Sequence, residues 1–404
     1  MMRAVAVQAT LGLHEAASRC WDVVIVGAGP AGSVAAREAV RQGLAVLLVD
    51  QASFPRQKTC GGCLSAPALA LLSDLGLREC IWELGGQPVT ALQLVERRRV
   101  TIPVALGIAL SRQVLDAALI RAAIQEGAAF LPETRAVAEG LVTGGRGVTL
   151  SQGQAAGSVL ARVVVIATGL GAPGPDDEPA CAVQVRSSSR IGVGTVLEHA
   201  PDAYPPHTVV MACGDGGYVG CVRVEQDRFD VAAALDPGFV RTAGGPGRAV
   251  SSILERAACP SIPQLADASW RGTAPMTAWR TAVAADRLLY VGDAAGYVEP
   301  FTGEGMAWAM ASAAAAAPLI AAGSRRWREP LVHDWITLHQ RLIVARQRRC
   351  LLLTTLLRFR SARQFALTML STMPALARPW VRATHRSFPL PRGVSPIRPT
   401  GLTT

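Results

Sequence analysis

The chain has 404 residues, 50% of them hydrophobic and 17% charged, which supports a sizeable buried core and excludes a disordered or fibrous protein. Its formal charge of +10 invites a nucleic-acid reading, yet Lys58 is the only lysine, asparagine is absent, and the excess is local. From Arg325 onward fifteen arginines face only Glu329 and Asp334, a net +13 that leaves −3 for the rest. This describes a near-neutral enzyme body with a basic tail; the tail suits an anionic membrane surface, an acidic partner or a plain solvated helical face, and not nucleic acid.

Nine cysteines are scattered without a disulfide framework, and residues 1–19, which include His14 and Glu15, lack a basic start followed by a long apolar run. A reducing cytoplasm is the expectation, with contact to the inner face of the cell membrane through the tail.

After that N-terminal tail, Trp21-Asp-Val-Val-Ile-Val26 reads as a buried parallel strand running into glycine. A helix over 30–42 and a strand over 44–49 complete a β-α-β unit closed by Asp50. A loop over 51–66, a helix over 68–75 and substrate-domain strands near 85–108 follow. The stretch 111–126 is an amphipathic helix with Ser111 as its N-cap. Residues 159–167 read as another buried strand, and the loop Gly171-Ala-Pro-Gly-Pro-Asp-Asp-Glu-Pro179 then punctuates the chain.

Short β-rich runs over 208–212, 218–224 and 228–234 predict an antiparallel sheet in a substrate domain over 181–270, with Gly214-Asp-Gly-Gly217 as a hairpin turn. The domain begun by the β-α-β unit covers 20–180 and resumes over 271–325, with a strand at 288–291. The uncharged stretch 305–323, interrupted by Pro318, predicts a buried core helix rather than a membrane span. A basic helical region fills 326–404 and ends in a proline-rich segment after Ser387. The fold class is α/β, a Rossmann-like domain with an inserted, mainly antiparallel sheet and a helical C-terminus.

Chemistry concentrates in three places. Gly27-Ala-Gly-Pro-Ala-Gly32 follows a strand and opens a helix. Gly27 permits the tight turn, Gly29 admits a pyrophosphate, and Gly32 lets helix and strand approach, while Pro30 and Ala31 open the helix whose N-terminus offers N–H groups. Asp50 is placed for the adenosine ribose. Arg112, at a helix start where the dipole disfavours a cation, calls for an anion such as the flavin pyrophosphate.

Far downstream, Gly292-Asp-Ala-Ala-Gly-Tyr-Val-Glu-Pro-Phe-Thr-Gly-Glu-Gly-Met306 pairs with the early motif and points to flavin adenine dinucleotide. Asp293 suits the ribityl hydroxyls. Gly303, Glu304, Gly305 and Met306 bring a helix N-terminus to the pyrimidine edge of the flavin. Tyr297, Pro300 and Phe301 form an apolar ceiling, with Tyr218 from the substrate sheet.

The third place is Lys58-Thr-Cys60-Gly61-Gly-Cys63. A lone lysine in an arginine-rich chain suggests an ammonium is wanted there, and Lys58 and Cys60 are the catalytic candidates. Cys60 and Cys63 read as a redox dithiol or half a metal site, but no second such pair exists and no metal site is expected. His14, His199, His207, His333, His339 and His385 form no ligand set or triad.

These three motifs, with Ser-Arg-Gln-Val-Leu-Asp116, resemble the geranylgeranyl reductase-like branch of the para-hydroxybenzoate hydroxylase-fold flavoproteins over residues 20–325. The resemblance implies an FAD domain of glutathione-reductase type with a β-sheet substrate domain over the flavin, and non-covalent FAD held by Gly27, Gly29, Gly32, Asp50, Arg112, Asp293, Gly303 and Gly305. It places Lys58, Cys60 and Gly61 beside the flavin or substrate. Two departures stand out. The hydroxylases carry an Asp-Gly pair tied to pyridine-nucleotide use where this chain has Ala167-Thr-Gly169-Leu-Gly171. Prenyl reductases carry Tyr-x-Trp-x-Phe-Pro where it has Tyr218-Val-Gly-Cys-Val-Arg223. The chain is also similar to flavoproteins accompanying type III polyketide synthases. The expected activity is NAD(P)H-dependent hydroxylation of a lipophilic phenolic or polyketide compound. Reduction of unsaturated lipid chains, or electron transfer without an organic substrate, are the alternatives.

Overall fold

The computed structural model describes residues 6–170, 179–377, 381 and 386–389. The loop expected over 171–179, save its last residue, and most of the proline-rich end fall outside these residues. The N-terminal stretch packs onto the body: Val7 donates its N–H to the Phe54 carbonyl and Thr10 to that of Phe130, ahead of a short helix at Leu13–Ala17.

Continuous runs of β-branched and leucine residues form strands buried on both faces. Cys20–Val26 lies at the centre, parallel to Val46–Val49 on one side and to Ala155–Ile166 on the other. Ala129–Leu131 and Leu288–Tyr290 extend this parallel sheet outward. The antiparallel pair Arg135–Val142 and Gly145–Gln152, which periodicity did not single out, hangs from the Ala155–Ile166 strand. The helix Pro30–Arg41 covers this sheet. Gly32 is required there, because a Cβ on it would come within 1.7 Å of the Gly27 carbonyl oxygen.

The second sheet holds the strands Gln87–Glu96, Arg98–Ala109, Ile191–Leu197, Thr208–Gly214, Gly217–Arg223 and Phe229–Leu235. It is antiparallel except where Thr208–Gly214 runs parallel to Gln87–Glu96. Thr208–Gly214 and Gly217–Arg223 form the hairpin expected at Gly214–Gly217, with Gly216 at φ +92°. Arg271–Pro275 also joins this sheet, so it reaches past residue 270.

Gly305–Arg325 is one unbroken helix. Pro318 withholds one N–H but does not end it, because Ala313–Ala317 are fully buried and tertiary packing holds the turns together. The helix is long and apolar enough to cross a membrane, yet most of its apolar stretch lies inside the protein. Pro330–His339, Ala345–Leu356 and Arg360–Thr372 then wrap the outside. His339 is buried against Trp335, and burial depresses its pKa to about 4.

Candidate active site

The two sheets meet around one large cavity of ≈ 930 Å³. Every site residue expected from the motifs lines it except Gly32, which serves packing. The early glycine turn contributes Gly27, Gly29, Pro30 and Ala31, with Asp50, Arg112 and Gly169; the late motif contributes Asp293, Gly303, Glu304, Gly305 and Met306, and the loop between them Lys58, Cys60 and Gly61.

Asp50 accepts hydrogen bonds from the N–H of Ala28 at 2.7 Å and of Ala52 at 2.9 Å, one on each oxygen. A carboxylate has about four acceptor positions, so two remain for ribose hydroxyls. The anion that Arg112 requires is supplied from within the chain. Asp116, fully buried one turn along the helix, accepts from Nε and Nη2 of Arg112 at 2.7 and 2.8 Å. This corrects the argument that a pyrophosphate was needed to explain the residue. Sequence reasoning missed both Asp116 and Arg56. Arg56 lies 3.6 Å from Asp50 and 3.8 Å from Asp116. A Cβ on Gly29 would stand 3.6 Å from Nη2 of Arg112 and 3.8 Å from that of Arg56. Two guanidinium groups and a helix N-terminus therefore converge on the glycine turn, which is a site for a pyrophosphate.

Ser111 occupies the N-cap position but does not cap. Its N–H and hydroxyl both donate to the buried Glu225, at 2.8 and 2.5 Å, tying the helix to the substrate sheet instead.

The Gly61 and Gly303 backbones face open space, with nothing within 4 Å of where a Cβ would stand, as a flat ring lying against them requires. Lys58 reaches across to Gly169, where a Cβ would stand 2.8 Å from its Nζ. Burial lowers the Lys58 pKa, and Arg112 and Arg56 reinforce this against Asp293 and Asp116. Burial raises the pKa of Cys60, opposed by Arg112 and reinforced by Asp230, and burial pushes that of Cys63 higher still. Thiols held protonated are poor redox nucleophiles, so the geometry disfavours the dithiol reading. Asp293 is also pushed up by burial, against Lys58 and Arg112.

Tyr218 and Phe301 meet edge to face, their centroids 5.0 Å apart. With Tyr297 and Pro300 they form the expected ceiling. Burial holds both tyrosine hydroxyls well above their usual range, so neither serves as a base. The lining also includes Ala91, Gly107, Val209, Gly220, Val222 and Ala232, together with the polar Gln57, Thr59, Arg271 and Thr273.

Asp230 had no sequence signal. It sits in a small side cavity with Lys58, Cys60 and Arg112, its Oδ2 3.0 Å from where a Cβ on Gly62 would lie. Among the described residues none donates a hydrogen bond to it, and burial, reinforced by Glu225, pushes its pKa well up.

Residues 22–174 match the family model described as FAD dependent oxidoreductase. The menaquinone reductase of Mycobacterium tuberculosis (strain ATCC 25618 / H37Rv) is 59% identical over 56 residues, 14% of either chain. Digeranylgeranylglycerophospholipid reductase 1 of Methanopyrus kandleri is 29% identical over 305 residues, 71% of this chain and 76% of that one. Among solved structures, the flavin-dependent brominase Bmp2 superposes with a TM-score of 0.74 at 19% identity, over 91% of this chain and 94% of that one. That last likeness concerns the fold. A glycine turn under two arginines and open glycine backbones fit an FAD, and over residues 22–174 the chain resembles the FAD dependent oxidoreductases.

Proposed function

We propose that the protein reduces a carbon–carbon double bond in a lipophilic, chain-bearing substrate, with NAD(P)H as the source of electrons. The observation that carries this reading is the pairing of a protonated thiol, Cys60, with a large cavity whose lining includes Ala91, Leu92, Val209, Val222 and Ala232. These apolar residues suit an extended apolar chain, while Gln57, Thr59, Arg271 and Thr273 in the same lining could meet a polar end of it. The two relatives that act as reductases, by their names on menaquinone and on a digeranylgeranyl lipid, support the same assignment to the geranylgeranyl reductase-like branch.

FAD, when bound and reduced, supplies a hydride to one carbon of the double bond. The chain's part is to hold and deliver the proton. Cys60 donates it to the other carbon and leaves as thiolate, stabilised by the neighbouring Arg112 until a proton returns from solvent. Tyr218, Phe301 and Pro300 orient the chain and exclude water.

Hydroxylation of a phenolic compound, the expectation from sequence, would use the same dry cavity. Anaerobic turnover with prenylated lipids separates the two. Reduction gives a product two hydrogens heavier without oxygen; an oxygenated product that appears only in air would overturn the proposal. Cys60→Ala is expected to slow substrate reduction by about 100-fold, the scale of lost general-acid catalysis, while photoreduction of the bound flavin, which needs no NAD(P)H, is unchanged.

A further inference from the structure

We infer that the outer face of the C-terminal helices is a docking surface for an anionic lipid bilayer, set back to back with the substrate cavity. Three observations carry this. The chain contains no acidic residue after Asp334. Arg341, Arg348, Arg349 and Arg360 are exposed along this region, whereas Arg358 and Arg363 turn inward to pair with Asp236 and Glu299, and with Glu96 and Asp215. The inward pair anchors the helices, and the outward set gives their solvent face one sign of charge.

Apolar side chains share that solvent face. Leu352 is 64% exposed, Phe359 61% and Phe365 67%, with Leu356, Met373 and Leu376 close to half. Of the fourteen large hydrophobic residues exposed among the described residues, these six fall within residues 352–376. Arg348, Leu352 and Leu356 follow one another at four-residue spacing, and Arg349 precedes Leu352 by three, so charge and apolar surface lie along one helical stripe. Such a concentration of exposed apolar surface marks an interaction site. The mix of arginine, leucine and phenylalanine on a helix lying flat is what an interfacial segment presents to anionic headgroups.

The inner face of the same helix gives the surface its purpose. Leu353 and Leu357 pack in one apolar cluster with Tyr218, Phe301 and Met276, which line the cavity, and Val381 lines it as well. One helix thus lies between the docking face and the cavity, which would hold the site close to a bilayer that carries a lipid substrate. This last step rests on the lipophilic-substrate reading; the docking face itself does not.

The test is co-sedimentation of the full-length, FAD-loaded protein with vesicles of phosphatidylglycerol and phosphatidylcholine, or of phosphatidylcholine alone. Binding is expected on the anionic vesicles only and weakened by salt. The triple variant Leu352→Ser, Leu356→Ser, Phe359→Ser and the double variant Arg348→Glu, Arg349→Glu should each partition at least tenfold less, roughly the loss expected from removing several interfacial contacts. Retained flavin absorbance in both shows that the fold survives. Equal sedimentation of wild type and variants overturns the proposal. So does a wild-type dimer in analytical ultracentrifugation that the triple variant makes monomeric without any vesicle binding, since a second copy would then cover the face. Vesicle binding that depends on these residues supports the proposal even if no lipid is reduced, so the two readings fail separately.

Discussion

Lys58 and Cys60 lie two residues apart, and burial drives both toward their neutral forms, lowering the amine's pKa and raising the thiol's. The lysine's identity follows from space as much as charge. Its Nζ packs over Gly169, 2.8 Å from where a Cβ there would stand, and a bulkier, planar guanidinium could not keep that contact unchanged. Lys58→Arg should therefore lose activity as Lys58→Ala does, by about 10- to 100-fold; steady-state turnover at saturating substrate measures this, and near-normal turnover in the arginine variant would refute the steric account. Asp230 permits a prediction with a definite sign. Its carboxyl pKa is raised on folding, so its contribution to stability is fully present below the ordinary carboxyl range and is lost as pH rises through the raised value. Asp230→Asn, which cannot ionise, should gain in melting temperature relative to wild type between about pH 4 and pH 8. A difference that stays constant across that range would show that Asp230 is ionised in the fold.

At the scale of elements, the loop after the Gly296–Tyr297 strand is held by a buried ion cluster that no local pattern announces. Arg190, at the edge of the substrate sheet, pairs with Glu299 at 3.1 Å and Asp236 at 3.2 Å. Its guanidinium carbon also stands 5.8 Å from the Tyr218 ring centroid. Arg358, just past the Ala345–Leu356 helix, joins the same carboxylates, Asp236 at 3.4 Å and Glu299 at 3.6 Å. The late glycine motif, the substrate sheet and the C-terminal helices are thereby fastened at one point beside the ceiling of the site. Removing one partner strands a buried charge, so Arg190→Met should destabilise by about 3–5 kcal/mol in chemical unfolding. Adding Glu299→Leu should recover much of that loss. A mild single-variant effect would mean that Arg358 alone neutralises the cluster.

On the scale of the whole molecule, the early and late glycine motifs, some 260 residues apart in sequence, meet in one cavity because both follow strands of the same parallel sheet. Legibility tracked the range of the interaction. The β-α-β unit, the helix over Arg112–Glu126 and the Gly214–Gly217 hairpin were readable, since glycine turns and apolar periodicity are local constraints on the backbone. Pro318 misled as an interruption, because helix propensity yields to packing when the flanking turns are fully buried.

The cofactor and the motif residues that line the cavity were therefore legible in the sequence, because a dinucleotide is bound chiefly by backbone turns and helix ends that specific short motifs encode. Only the tertiary structure decided what answers Arg112, where Asp230 and Arg56 stand, which arginines of the basic tail turn inward and which apolar residues stay outside. Those are matters of charge pairing and burial between distant segments. Such energies depend on neighbours that only the folded chain brings together.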